Sequence, residues 1–294
     1  MRRAPSRAAG ARAAVIPFRG RSARLAPERL VIGGLELLRA GERWDRRPTL
    51  LFLHGASAAA WVWAEHLMPE LAEAGWRCAA LSFRGHGGSR GRALLHGYGL
   101  LDYLLDARAA LASLDGPAIV VGHSLGGLVA QMLIGDPRLR GLVLMAPVPP
   151  EGLAAASLKL AVSDPDLWRE VARMPWAEAA ETPPQRLRRA LFSEALPDAR
   201  AWSLLQRFQS ESLRAVAEAQ WPRPVASAHL LRLPALVLSS GRDPLMPADA
   251  LARTAWFHGA DHVVVDTVAH AMMLDHAWGD VVRALAAWLS DRFR

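Results

Sequence analysis

Ala118-Ile119-Val120-Val121-Gly122-His123-Ser124-Leu125-Gly126 decides how the rest of this chain is read. The four apolar residues at its start, three of them β-branched, make a buried strand. A helix-compatible run follows from Gly127 to Ile134. Strand, tight turn and helix, with a serine on the turn, is the G-x-S-x-G nucleophile elbow. The turn is so sharp that only small residues fit two positions either side of the serine, and glycine also tolerates its backbone strain. A serine placed there is pushed out at the sheet edge, where its hydroxyl can attack a carbonyl.

A serine hydroxyl is a weak nucleophile at neutral pH. It needs a base in hydrogen-bond reach, and the base needs a partner that fixes its tautomer and supports its charge. Ser124 therefore predicts an acid and a histidine further along, each just past a strand end. The acid candidate is Asp243, in Gly241-Arg242-Asp243-Pro244-Leu245 after the apolar run Leu236-Val237-Leu238. The base candidate is His270, in Val268-Ala269-His270-Ala271-Met272, after a strand expected to end at Thr267. Asp249 competes with Asp243 but sits deeper in the next segment. His276 competes with His270 but lies in or near a helix, and His262 begins a strand, at the wrong sheet edge. The reaction also needs two N–H groups aimed at the developing oxyanion. Leu125, next after the serine, supplies one candidate; Ala56, in His54-Gly55-Ala56-Ser57 after an earlier strand, supplies the other.

Outward from these residues the chain alternates strands and helices. Thr49 to Leu53, Arg77 to Phe83, Ala118 to Val121, Gly141 to Met145, Ala235 to Ser239 and His262 to Thr267 read as strands. Residues 61–74, Leu100 to Leu114 and 277–293 read as helices, and residues 25–47 as one or two antiparallel edge strands. Continuous apolar strands alternating with helices give an α/β fold with a mostly parallel sheet covered on both faces. Residues 147–233 break the rhythm. They open on Pro147-Val148-Pro149-Pro150, carry helix-start signals at Asp164-Pro165, Thr182-Pro183 and Ser210-Glu211, and contain no good strand. This segment reads as a helical cap over a core made of 25–146 and 234–294. Its aromatics (Trp168, Trp176, Phe192, Trp202, Phe208 and Trp221) divide between the cap's own packing and the wall of an apolar cavity.

Composition narrows the class. The 294 residues, 52% hydrophobic, suffice for one large domain or a core with an insertion. No apolar run approaches the ~18 residues of a membrane span. The single cysteine, Cys78, forms neither an intrachain disulfide nor a cysteine metal cluster, and no convincing secretory signal is present, so a cytoplasmic location is expected. The net charge of +7 equals the seven arginines of residues 1–24, which contain no acid, so the remainder is neutral. The excess belongs to a tail and not to a folded basic face, which argues against nucleic acid as a partner. The tail reads as a disordered extension, with a transit peptide as the alternative. Gly-rich residues 85–91 match neither a dinucleotide loop nor a P-loop, and read as a turn. His258 and His262 have a metal-like spacing, but Gly259 interrupts any common helix, and no metal is expected.

Taken together, His54-Gly55, Arg84-Gly85-His86-Gly87-Gly88-Ser89, Gly122-His123-Ser124-Leu125-Gly126-Gly127, Gly241-Arg242-Asp243 and His270 with Met272-Met273-Leu274-Asp275 resemble the α/β-hydrolase family, specifically its lid-bearing esterase and lipase-like members. The resemblance covers roughly residues 30–293. It implies an eight-stranded sheet, a cap domain, no cofactor, Ser124 as nucleophile, Asp243 as acid, His270 as base, and Ala56 and Leu125 as oxyanion donors. The order serine, acid, histidine is the family's order. Ala271 departs from it, standing where many relatives carry a polar residue. The implied activity is hydrolysis of a small carboxylic ester with an apolar acyl or alcohol part. The same triad also serves C–C bond, amide and lactone hydrolysis, acyl transfer and cofactor-free perhydrolysis, and some members of the fold only bind ligands. The oligomeric state is not legible in the sequence.

Overall fold

The computed structural model describes residues 27–42, 47–173 and 185–293. The basic tail, Trp176 and Thr182-Pro183 lie outside the described residues.

Eight strands form one sheet: β1 Glu28–Ile32, β2 Leu35–Ala40, β3 Thr49–Leu53, β4 Cys78–Leu81, β5 Ala118–His123, β6 Leu139–Met145, β7 Ala235–Ser239 and β8 Asp261–Val264. Their spatial order is β1-β2-β4-β3-β5-β6-β7-β8. The β1–β2 hairpin is antiparallel and joins β4 antiparallel; every other neighbouring pair is parallel. The expected antiparallel pair within 25–47 is therefore present at one edge. Strands β3, β4, β5 and β7 are buried at every position. Their sequences are unbroken apolar runs because both faces are covered.

The helices are α1 Trp61–Ala64, α2 Leu67–Glu73, α3 Leu100–Ala112, α4 Ser124–Met132, α5 Ala154–Ser163, α6 Pro165–Arg173, α7 Gln185–Leu191, α8 Asp198–Leu205, α9 Leu213–Ala219, α10 Ala248–His258 and α11 Trp278–Arg292. Handedness assigns them to faces. The β3-to-β4 connection runs one way along the sheet, and the β4-to-β5 and β5-to-β6 connections run the other. Right-handed crossovers then put α1 and α2 on one face and α3 and α4 on the opposite one. Helix α10 joins the α4 face by the same rule, and α11 packs on α2.

Two elements differ from expectation. Residues 61–74 form two short helices instead of one. Pro69 offers no N–H to a helix running through from α1, but is tolerated in the first turn of a new one. The last strand is β8, Asp261–Val264, instead of His262–Thr267. It has one neighbour, all four of its residues are exposed, and pairing stops where β7 stops, at Ser239 opposite Val264. The chain after it is released into the loop that carries His270.

Parallel strands β4, β3, β5, β6, β7 and β8 all end on one edge of the sheet. The chain leaves β3 in one direction and β5 in the other, so the loops after these neighbouring strands diverge and open a crevice between them, the place where open α/β sheets bind ligands. Helices α5 to α9 all lie in the chain between β6 and β7, with no strand among the described residues there.

Candidate active site

Ser124 is the first residue of α4, directly after β5, and has φ +49°. That left-handed conformation is strained for any side chain, by about 1–3 kcal/mol. Two glycines make it possible. A Cβ on Gly122 would lie 2.5 Å from the Gly126 carbonyl oxygen, and one on Gly126 would fall on the carbonyl oxygens of His54 and Leu53, the latter at 2.5 Å. The residues flanking Ser124 thus have no room for a side chain, as the motif requires. Ser57 after β3 (φ +62°) and Ala146 after β6 (φ +40°) share the left-handed conformation. Three of the four non-glycine residues with positive φ among the described residues therefore stand at this one sheet edge, where backbone strain tends to gather around function.

Asp243 and His270 come together across the loops after β7 and β8. His270 Nδ1 lies 2.7 Å from Asp243 Oδ2, with both side chains buried. The other oxygen, Oδ1, accepts the N–H groups of Leu245 (2.8 Å) and Met246 (3.0 Å). With Oδ1 taken by two backbone donors, Oδ2 is the oxygen left to accept from the imidazole. The imidazole proton then belongs on Nδ1, which leaves Nε2 with its lone pair. Ser124 and His270 line the same cavity. The competitors are elsewhere: Asp249 pairs with Arg253 at the surface, His262 faces the Ser239 hydroxyl at 2.8 Å, and His276 precedes α11.

Ala56 and Leu125 line that cavity as well. Leu125 sits in the first turn of α4, where an N–H has no intrahelical acceptor. The Ala56 N–H donates to no backbone acceptor among the described residues. The loop 54–57 is packed directly on the serine: a Cβ on Gly55 would lie 3.0 Å from the Ser124 Cβ and 2.7 Å from His123 Nδ1.

Several residues that the sequence marks only as packing support this geometry. His123 Nε2 faces the His270 carbonyl oxygen at 3.0 Å, and burial together with the neighbouring His270 holds the His123 ring well below the usual histidine range. Asp275 accepts the N–H groups of Ala269, His276 and Ser193 (2.7, 2.7 and 2.8 Å) and the Ser193 hydroxyl (2.6 Å), binding the His270 loop to the segment after α7. His54 donates from Nδ1 to its neighbour's carbonyl and accepts the Phe83 N–H; burial and the nearby His86 push it down to about 3. Ser210-Glu211 does not start a helix as expected. The N-cap of α9 is instead Ser212, whose hydroxyl accepts the Ala215 N–H at 3.2 Å, and Glu211 turns into the core.

The cavity has a volume of about 170 Å³ and a mainly apolar lining. Its wall is shared between the sheet-edge loops and the insertion, which contributes Leu153, Leu160, Val171, Leu191, Phe208 and Val216 among others. Most of that contribution is aliphatic. Phe208 faces the cavity, Phe192 is buried in the core, and Trp168 and Trp221 are exposed. Residues 85–91 close a turn through a Gly85 N–H to Arg90 carbonyl bond, and His258 faces Gln131, away from His262. No helix among the described residues is long and apolar enough to cross a membrane.

An eight-stranded, mostly parallel sheet with this elbow and this loop arrangement defines an alpha/beta hydrolase. The family model for the alpha/beta hydrolase fold matches residues 48–277, and the chain belongs to that family. It is 31% identical to the pimeloyl-(acyl-carrier protein) methyl ester esterase of Aromatoleum aromaticum, over 84% of this chain and 86% of that protein. Among solved structures it is similar to a bromoperoxidase from Bacillus anthracis (TM-score 0.67, 16% identity, 90% of this chain and 99% of that one). It is also similar to the enol-lactonase from Burkholderia xenovorans LB400 (TM-score 0.65, 18% identity, 90% and 100%). At these identities the two structures speak to the fold alone.

Proposed function

We propose that this chain is a serine hydrolase that cleaves a carboxylic ester with an apolar acyl or alcohol part through an acyl-enzyme. His270 Nε2 takes the proton from Ser124 Oγ as the oxygen attacks the ester carbonyl. The N–H groups of Ala56 and Leu125 hold the resulting oxyanion, each such donor contributing about 3 kcal/mol to the transition state. Collapse expels the alcohol, which takes its proton from His270, and leaves the acyl group on Ser124. Water, losing its proton to His270, attacks the acyl carbon, and the acid departs as Ser124 recovers its proton. Asp243 keeps the imidazole in the reactive tautomer and supports its charge. Residues 147–233 act as the cap, and their aliphatic side chains accept the apolar part of the substrate.

One observation carries the reading: His270, held through Nδ1 by a buried carboxylate, lines the same cavity as the left-handed Ser124. The ester preference is further supported by the Aromatoleum relative, named for the methyl ester of an acyl chain. Hydrolysis of p-nitrophenyl esters across acyl chain lengths, run beside Ser124→Ala, tests it. Turnover in the wild type and its loss in a folded variant are expected. Turnover that survives in Ser124→Ala contradicts the proposal, and inactivity on esters with activity on diketones moves the chain to C–C bond hydrolysis.

A further inference from the structure

We infer that Glu211, from the segment joining α8 to α9, is a positioning residue for the oxyanion loop: it holds residues 55–57 against Ser124, so the oxyanion site is complete only when the insertion is seated on the core. The inference rests on the serine-hydrolase reading above.

Ser57 is gripped at both backbone groups by this segment. Its N–H donates to Glu211 Oε2 at 2.9 Å, and its carbonyl accepts the Gln209 N–H at 2.8 Å. The Gln209 side chain adds a bond to the Ala58 carbonyl at 3.0 Å. Without such partners a serine has no reason to stay at φ +62°. Its hydroxyl is buried and unpaired, so Ser57 is held through its backbone and not through its side chain. Glu211 is in turn fixed from three other directions. Its Oε1 accepts the Tyr103 hydroxyl from α3 and the Ser212 N–H, both at 2.6 Å, and His86 Nε2, from the loop after β4, faces Oε2 at 3.3 Å. The other His86 nitrogen faces the Arg84 carbonyl at 3.2 Å, which orients the ring toward Glu211. Glu211 borders the cavity, yet both its oxygens are already occupied by protein donors. It is placed to hold the loop, not to touch the reacting atoms.

Glu211→Gln keeps the size and removes the charge. Whichever way the amide turns, its NH2 replaces an oxygen that accepts a backbone N–H, that of Ser57 at Oε2 or that of Ser212 at Oε1. The expected result is a 10- to 100-fold lower kcat on p-nitrophenyl butyrate with KM within about 3-fold, and a comparable slowing of Ser124 phosphonylation by a fluorophosphonate, which also needs the oxyanion site. A crystal structure of the variant should show Ser57 out of the left-handed region. Tyr103→Phe touches Glu211 but not the loop; it should lose a few-fold in kcat, and it serves if Glu211→Gln does not fold. A folded Glu211→Gln with wild-type kcat and phosphonylation rate overturns the inference, as does a rise in KM alone or a lower Tm with kcat intact. If the wild type neither hydrolyses esters nor takes the fluorophosphonate, the hydrolase reading has failed on its own. The crystal structure then still decides the clamp, and an unmoved 55–57 loop overturns it.

Discussion

Asp243→Asn should abolish most turnover by trapping His270 in the wrong tautomer, and the structure fixes which way the amide must turn. Asp243 Oδ1 accepts two backbone N–H groups, from Leu245 and Met246, while Oδ2 faces His270 Nδ1. The amide oxygen of the introduced asparagine must take the Oδ1 place, because the NH2 there would face two donors and leave both unpaired. The NH2 is therefore directed at His270 Nδ1, which has to become the acceptor. The ring proton moves to Nε2, and the base that should take the Ser124 proton is gone. Restoring the reactive tautomer requires the amide to flip, at a cost of about 1–3 kcal/mol for each of the two orphaned N–H groups, or about 2–6 kcal/mol in all. At 1.36 kcal/mol per tenfold, kcat falls by about 30-fold to about 26,000-fold. KM should hold within a few-fold, since Asp243 does not line the cavity, and Tm should change little. Steady-state kinetics on p-nitrophenyl butyrate with a thermal melt measures all three. A folded Asp243→Asn enzyme with kcat within 3-fold of wild type would mean that Asp243 does not set the His270 tautomer.

Three other perturbations have defined outcomes. Gly126→Ala places a Cβ on the backbone oxygens of Leu53 and His54; overpacking of about 1–3 kcal/mol is expected as a drop of several degrees in Tm, with a lower kcat because loop 54–57 is displaced, and an unchanged Tm contradicts it. Ala156→Phe, on the cavity side of α5, should move the chain-length optimum to shorter acyl groups and cut kcat/KM for long ones at least 10-fold; an unchanged profile would mean that acyl chains lie elsewhere. Stability should fall on acidification. His54 is held down to about 3 and His258 to about 4, so below the ordinary histidine value of ~6.5 the unfolded chain binds protons that the native rings refuse, and stability is lost as pH falls. For fully buried His54 the loss is about 3 kcal/mol by pH 4.5. Glu211, lowered to about 2 despite burial because His86 faces it and three donors reach it, acts in the same direction between pH 4.5 and 2. Thermal melts from pH 8 to 4 check the sign, and a Tm that rises toward pH 5 contradicts it.

Motifs that depend on local backbone chemistry were legible in the sequence. The elbow needs glycines at fixed offsets, and buried parallel strands need unbroken apolar runs, so β3, β5, β6 and β7 and the residues Ser124, Asp243 and His270 could be placed by reading along the chain. The supports were not legible because they join distant segments. Glu211 meets Ser57 across 154 positions, and Asp275 meets Ser193 across 82. Nothing in the sequence near Glu211 distinguishes a helix-start carboxylate from a buried one; the neighbouring Ser212, a better N-cap, was the one available signal. Which aromatics of the insertion reach the cavity was not legible for a related reason. Composition counts aromatics but does not say which face of a short helix they occupy, and Trp168 and Trp221 turned outward while leucines and valines turned in.

The central claim is that Ser124 is the nucleophile, and covalent labelling tests it most directly. Treat the wild type and Ser124→Ala with a fluorophosphonate and locate the adduct by peptide mass spectrometry. One phosphonyl group per wild-type chain is expected, on the peptide that carries Ser124, and none on the variant. No adduct on the wild type, or an adduct that persists in Ser124→Ala, would contradict it.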